Sequence, residues 1–204
     1  MHFSPTFDKL TTKMYAFLLK RDFAWNKYIK NILDECGLSY LWTTDEIVNI
    51  NWIKCNVKRI LMDQNAQNWK NMMDSSAKGL NYRIFKENIE LEEYLKILPK
   101  KSASILVKFR ANNFKLPIET GRWQNIPREQ RKCHICQTNQ IGDEYHYIFE
   151  CSNSEVVKAR KNFILTEYTK RPSTIKFKQL FSSTNPKTLK NLCKFLLVVK
   201  KNID

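Results

Sequence analysis

The chain has 204 residues, 35 Lys+Arg against 20 Asp+Glu, a formal net charge of +15 and 43% apolar content. That is enough to bury a core in one domain or two small ones, and 12% aromatic residues exclude a disordered polycation. Only four Gly, and neither GxGxxG nor GxxxxGK[ST] in the sequence, weigh against Rossmann or Walker phosphate loops.

Taken in chain order, the pattern is mainly helical. Phe7, Leu10, Met14, Phe17 and Leu18 have helical spacing within Pro5–Lys20. Met14–Leu19, six residues between Lys13 and Lys20, is the longest apolar run. It is too short to span a bilayer and fits no secretory segment, so an intracellular protein, nuclear or cytoplasmic, is expected, without membrane partners. A second helix is expected over Phe23–Cys36, burying Trp25, Tyr28, Ile29, Ile32 and Leu33 and stopped by Gly37. Thr43–Glu46 has the form of a capping box for a long helix from Ile47 to about Met73, with a loop over Asp74–Gly79. Short elements follow near Tyr82–Phe85 and Leu91–Leu98. Ser102 or Ser104 then caps a helix carrying Ile105, Leu106 and Phe109 beside Lys108 and Arg110. Leu116–Lys132, with two Pro, one Gly and Trp123, is expected to be an ordered loop. Ser152 and Glu155 suggest a capping box for a helix to about Tyr168, and Ile175–Phe181 forms a short segment. Asn185-Pro186 opens a terminal amphipathic helix with Leu189, Leu192, Cys193, Leu196 and Val199 on one side and Lys187, Lys190, Lys194 and Lys201 on the other.

The charge excess is local. Residues 1–102 carry 16 Lys+Arg and 12 Asp+Glu, whereas residues 103–204 carry 19 and 8. A globular half this basic repels itself unless a polyanion offsets the charge, and nucleic acid is the commonest such partner. The expected division is a helical support region over 1–100 and a basic region over 101–204, which can also form one continuous domain.

That basic region holds Cys133, Cys136, His146 and Cys151 in a C-x2-C-x9-H-x4-C pattern. Two Cys three apart close a tight turn with both sulfurs on one ion, and three thiolates with one imidazole make a closed tetrahedral set. Such a set suits structural zinc, leaving no position for a reactive water. A redox Cys-x-x-Cys, a disulfide framework and plain core thiols are the competing readings, and His134 is the competing ligand to His146. Cys36, Cys55 and Cys193 are expected in the core. Around the cluster, Arg110, Lys115, Arg122, Arg128, Arg131 and Lys132 offer phosphate contacts, and Trp123, Tyr145 and Tyr147 offer stacking faces. Packing of Trp123 and Tyr147, and pairing of Arg110 or Arg122 with Glu119 or Glu144, are the structural alternatives. Asp143 and Glu144 belong to the first turn of the His146 helix, where one of them can orient the imidazole.

The stretch from Phe109 through PIE-x-GRW at Pro117–Trp123 into the Cys turn, then Gly142–Cys151 and Ala159-Arg160, resembles the C-terminal region of animal non-LTR (LINE-type) retrotransposon reverse-transcriptase proteins. The similarity covers about residues 105–160. It implies zinc on Cys133, Cys136, His146 and Cys151, and a role in holding RNA or DNA near a reverse-transcriptase polymerase region. The sequence departs from that family in having no Asp-Asp pair for polymerase metals. The expectation is therefore a zinc-stabilised nucleic-acid-binding module that is not itself an enzyme, as a detached fragment or a standalone protein. The competing reading is a zinc-structured protein-interaction domain whose basic face meets an acidic partner.

Overall fold

The computed structural model describes residues 21, 23–43, 49–76, 78 and 80–204. The helix expected over Pro5–Lys20 lies outside the described residues, as does most of the Thr43–Glu46 box. The described chain is mainly helical. It contains no strand, only an isolated antiparallel bridge between Lys132 and Ile141. Two compact units, Met1–Gln67 and Asn68–Asp204, divide the chain.

In the first unit, α1 (Ala24–Glu35) ends at Cys36, and Gly37 follows with φ +67°, the left-handed stop that Gly supplies at no steric cost. A 3-10 turn over Ser39–Trp42 leads toward α2 (Ile50–Ser75). The start of α2 is capped by Asn49, whose Oδ1 accepts from the Asn51 and Trp52 N–H groups at 2.9 and 3.3 Å. A small core forms from Leu33, Cys36 and Leu38 with Val57, Ile60 and Leu61. The apolar face expected on α1 is only partly used: Leu33 is buried, but Trp25, Tyr28 and Ile29 are exposed. Cys55 is likewise exposed rather than core, because it stands two residues, about 200° of helix, from the inward Val57.

The second unit begins with the last turns of α2, which run two residues beyond the expected Met73. Then come α3 (Tyr82–Phe85), α4 (Glu93–Ile97), α5 (Lys100–Arg110), α6 (Pro117–Trp123), α7 (Ser154–Phe163), α8 (Thr166–Thr169), α9 (Thr174–Phe181) and α10 (Pro186–Ile203). Residues 68–100 thus fold with the basic half, contributing Phe85, Tyr94 and Leu98 to one large core. Two helix starts differ from expectation. α5 begins directly after Pro99, so Ser102 and Ser104 lie inside it. α7 is capped by Asn153, not Ser152, with Asn153 Oδ1 accepting from Glu155 and Val156 N–H at 3.1 and 3.2 Å. The expected loop over Leu116–Lys132 contains the whole of α6, since Pro117 sits at the first helical position with its φ already helical.

α10 packs against both α5 and α7 and buries Leu189, Leu192, Cys193, Phe195, Leu196 and Val199, the expected face with Phe195 added. Asn185 caps it as expected, accepting from the Lys187 and Thr188 N–H groups. Beside it lies an aromatic cluster in which Phe181 stacks on Phe85 (5.2 Å) and on Phe109 (5.7 Å). This apolar block is the floor on which the cysteine-bearing loops rest. No helix among the described residues is long and apolar enough to cross a membrane.

Candidate metal centre

Cys133 and Cys136 stand on a loop pinched at its base. The Cys133 N–H donates to the Gln140 carbonyl at 2.9 Å, and the Gly142 N–H donates to the Arg131 carbonyl at 2.9 Å. Asn139, at φ 53°, turns the chain back. Gly142 is required where the two sides of this pinch cross: a Cβ there would lie 2.8 Å from Pro117 Cγ and 3.1 Å from Cys133 Cα.

His146 and Cys151 come from the second segment. Five residues apart on an α-helix they would diverge by about 140°. The chain instead widens into a π turn over His146–Glu150, closed by the Cys151 N–H on the His146 carbonyl at 2.8 Å. Asp143 starts this turn, its Oδ1 accepting from the His146 N–H at 3.0 Å. Arg160 of α7 ends it: Nε donates to the Ile148 carbonyl (2.7 Å), and one terminal nitrogen donates to those of Tyr147 (3.2 Å) and Cys151 (3.0 Å). Asn153 joins the two segments, because the side chain that caps α7 also donates Nδ2–H to the Ile135 carbonyl between the two cysteines, at 3.1 Å.

The result is four donor atoms, from Cys133, Cys136, His146 and Cys151, all within 4.8 Å of one another. Cys133, His146 and Cys151 are buried and Cys136 is half-buried. Thiolate–zinc bonds of about 2.3 Å place tetrahedral sulfurs roughly 3.8 Å apart, so a modest inward movement closes the set on an ion. The imidazole is already oriented for it. Nδ1 lies 3.1 Å from Gln140 Oε1, which can only accept, leaving the Nε2 lone pair toward the cluster, 3.4 Å from Cys136 Sγ. His134 is exposed and outside the group.

The electrostatics are those of donors crowded together. Cys133 is held well below the usual thiol range by its hydrogen bond with Cys151, against burial and with help from His146 and Tyr147. The same contact pushes the Cys151 thiol up. Burial opposes a charge on His146, but the neighbouring Cys133 and Cys136 sulfurs raise it above the ordinary histidine value. A divalent cation removes this competition, since each donor then faces positive charge instead of another donor.

The expected nucleic-acid residues divide sharply. Arg110 is 2% exposed: it lies between the Phe85 and Tyr94 rings, its guanidinium 3.0 Å from Glu92 Oε2, and it donates to the Phe181 carbonyl at 3.1 Å. It is a core residue, and its partner is Glu92 rather than Glu119 or Glu144. Arg131 donates to the Ile126 and Ile118 carbonyls and so fastens α6 to the cysteine loop. Arg122 pairs with the buried Glu119 at 2.9 Å, the expected alternative, and Arg128 with Asp143 at 3.4 Å. Lys115, Lys132 and Trp123 remain exposed. Tyr147 is fully buried, its hydroxyl 3.4 Å from the Cys133 sulfur, and Tyr145 packs edge-on against Phe149 and Phe177. Glu144 is buried with Asn81 Nδ2 donating to Oε2 at 2.5 Å. The imidazole is met by Gln140, not by Asp143 or Glu144.

Gln140 and Asn153, which hold the ligands in place, were not singled out from the sequence, and Arg160 was named only within the resemblance, with no role given. Their roles depend on carbonyls and ring nitrogens brought near by the fold, and spacing carries no mark of that. No protein-family model, curated protein or solved structure matches the chain.

Proposed function

We propose that the second unit is a zinc-stabilised nucleic-acid-binding module with no catalytic centre of its own. The observation that carries this reading is the convergence of three cysteines and one histidine into a closed set of four donors, amid a basic excess the local acids do not neutralise. Three sulfurs and one imidazole suit zinc above other divalent ions, and a set with no position for water suits a structural ion. Glu119 and Asp143 are consumed by Arg122 and Arg128, while Lys187, Lys190 and Lys194 of α10 and Lys115 and Lys132 beside the knuckle stay in solvent. The likeness to the post-polymerase region of LINE-type reverse transcriptases supports the same reading, with a polymerase region as the accompanying partner.

A second reading, a protein-interaction domain, is favoured by one observation: Trp25, Tyr28, Ile29, Trp52 and Met62 of the first unit are exposed. Titrating the purified protein with single-stranded and duplex DNA and RNA across salt separates the two. Binding that weakens steeply with salt is expected, and no binding even at low salt would overturn the nucleic-acid reading in favour of the protein partner.

A further inference from the structure

Arg110 is buried, Arg131 is spent on backbone carbonyls, and the half-exposed Arg122 and Arg128 are paired with Glu119 and Asp143, so few cations beside the knuckle stay unpaired and a phosphate-binding surface falls to the lysines. A groove of about 570 Å³ runs between the start of α5 and the outer face of α10, lined by Pro99, Ser102, Lys187, Lys190, Lys194 and Leu197 among others, with no acidic residue. Its floor is tied where the Cys193 thiol donates to the Ser102 carbonyl at 3.4 Å. Lys187, Lys190 and Lys194 are exposed along one side, and Lys100 and Lys101 stand exposed on the first turn of α5. No ion pair among the described residues involves these five lysines. Lys194 alone has an aromatic neighbour, its ammonium 6.0 Å from the Phe163 ring centre.

The start of α5 is electrostatically adverse as it stands. Pro99 offers no side-chain cap, the first turn holds no acid, and two lysines sit where the helix dipole is positive. A sequence that places cations and uncapped N–H groups together beside three further lysines is locally at odds with stability, a pattern found at binding sites. A chain of phosphates in the groove eases the conflict: its charge meets the ammonium groups of Lys187, Lys190 and Lys194 that line it and offsets the uncompensated positive end of α5 beside them.

We infer that the α5–α10 groove is the track for a nucleic-acid phosphodiester backbone, and that the metal knuckle stabilises the unit without being the main contact. This rests on the nucleic-acid reading above. Lysines rather than arginines, and no exposed aromatic lining, make it a backbone track with little base discrimination.

The test compares two variants of the full chain: Lys187→Gln/Lys190→Gln/Lys194→Gln in the groove, and Lys115→Gln/Lys132→Gln beside the knuckle. Binding to a fluorescent oligonucleotide is followed across salt, with circular dichroism and metal content checking that both variants keep their fold. The groove variant is expected to lose roughly tenfold or more in affinity, and its log–log salt slope to flatten by about two to three. The knuckle variant should change little. An unchanged groove variant, or a larger loss in the knuckle variant, overturns the inference while leaving nucleic-acid binding intact. A wild-type chain that binds no nucleic acid overturns both.

Discussion

Arg110 and Glu144 are both charged side chains at 2% exposure, yet the core treats them differently. Arg110 has the Glu92 carboxylate 3.0 Å away, the Phe181 carbonyl and two aromatic faces, contacts a flexible ammonium could not match, although its Nε and Nη2 make no hydrogen bond. Glu144 has Asn81 on one oxygen and nothing on the other. Burial raises its pKa to about 7 from 4.5. A folded-state value above the unfolded one means the folded state binds this proton more tightly, so stability is lost as pH rises from 4.5 through about 7. Glu144→Gln keeps an acceptor for Asn81 and removes the charge. Its unfolding free energy from chemical denaturation should match wild type near pH 4 and exceed it above pH 7, by about 2–3 kcal/mol. Equal stabilities across that range would show that the carboxylate is solvated.

At the scale of elements, the cysteine loop, the π turn and α7 behave as one piece because single side chains serve two of them at once. Asn153 caps α7 and holds the Ile135 carbonyl, while Arg160 closes the π turn from within α7. Asn153→Ala should cost about 1.5–3 kcal/mol, the loss of a cap plus a hydrogen bond. Asn153→Asp keeps the capping acceptor but loses the donor to Ile135, so it should recover only the cap. Metal affinity should fall for both variants, since both free the Cys133–Cys136 turn. An Asp variant indistinguishable from wild type in stability and metal affinity would show that the tie to Ile135 contributes nothing.

For the whole molecule, the metal set is expected to carry the ordering of a segment whose large apolar residues are few. Zinc is the metal expected from analysis of protein purified without chelator. Cys133→Ser or Cys151→Ser should release it. Hydrogen exchange should then quicken over residues 116–170, while the face of α10 buried against α5 stays protected. Unchanged metal content in both variants would remove the metal from the account.

Much of this was legible in the residues. The four-donor set followed from spacing and donor chemistry, and α10 from its Asn-Pro start and 3.6-residue period; the pairing of Arg122 with Glu119 was one of several alternatives until the structure showed a helix where a loop was expected. What the sequence determined was local: which residues can bond a metal, which face of a helix is apolar, and where excess charge accumulates along the chain. Only the tertiary structure decided which cations are spent inside. Arg110 meets Glu92 and Phe181 across 18 and 71 positions, and no local period encodes such a pairing. It also chose the π turn that brings His146 and Cys151 together, because a backbone widens only where other groups, here Asp143 and Arg160, satisfy its ends. The basic character came from composition; that Arg110 and Arg131 are spent on interior partners while Lys187, Lys190 and Lys194 stay exposed was decided by packing.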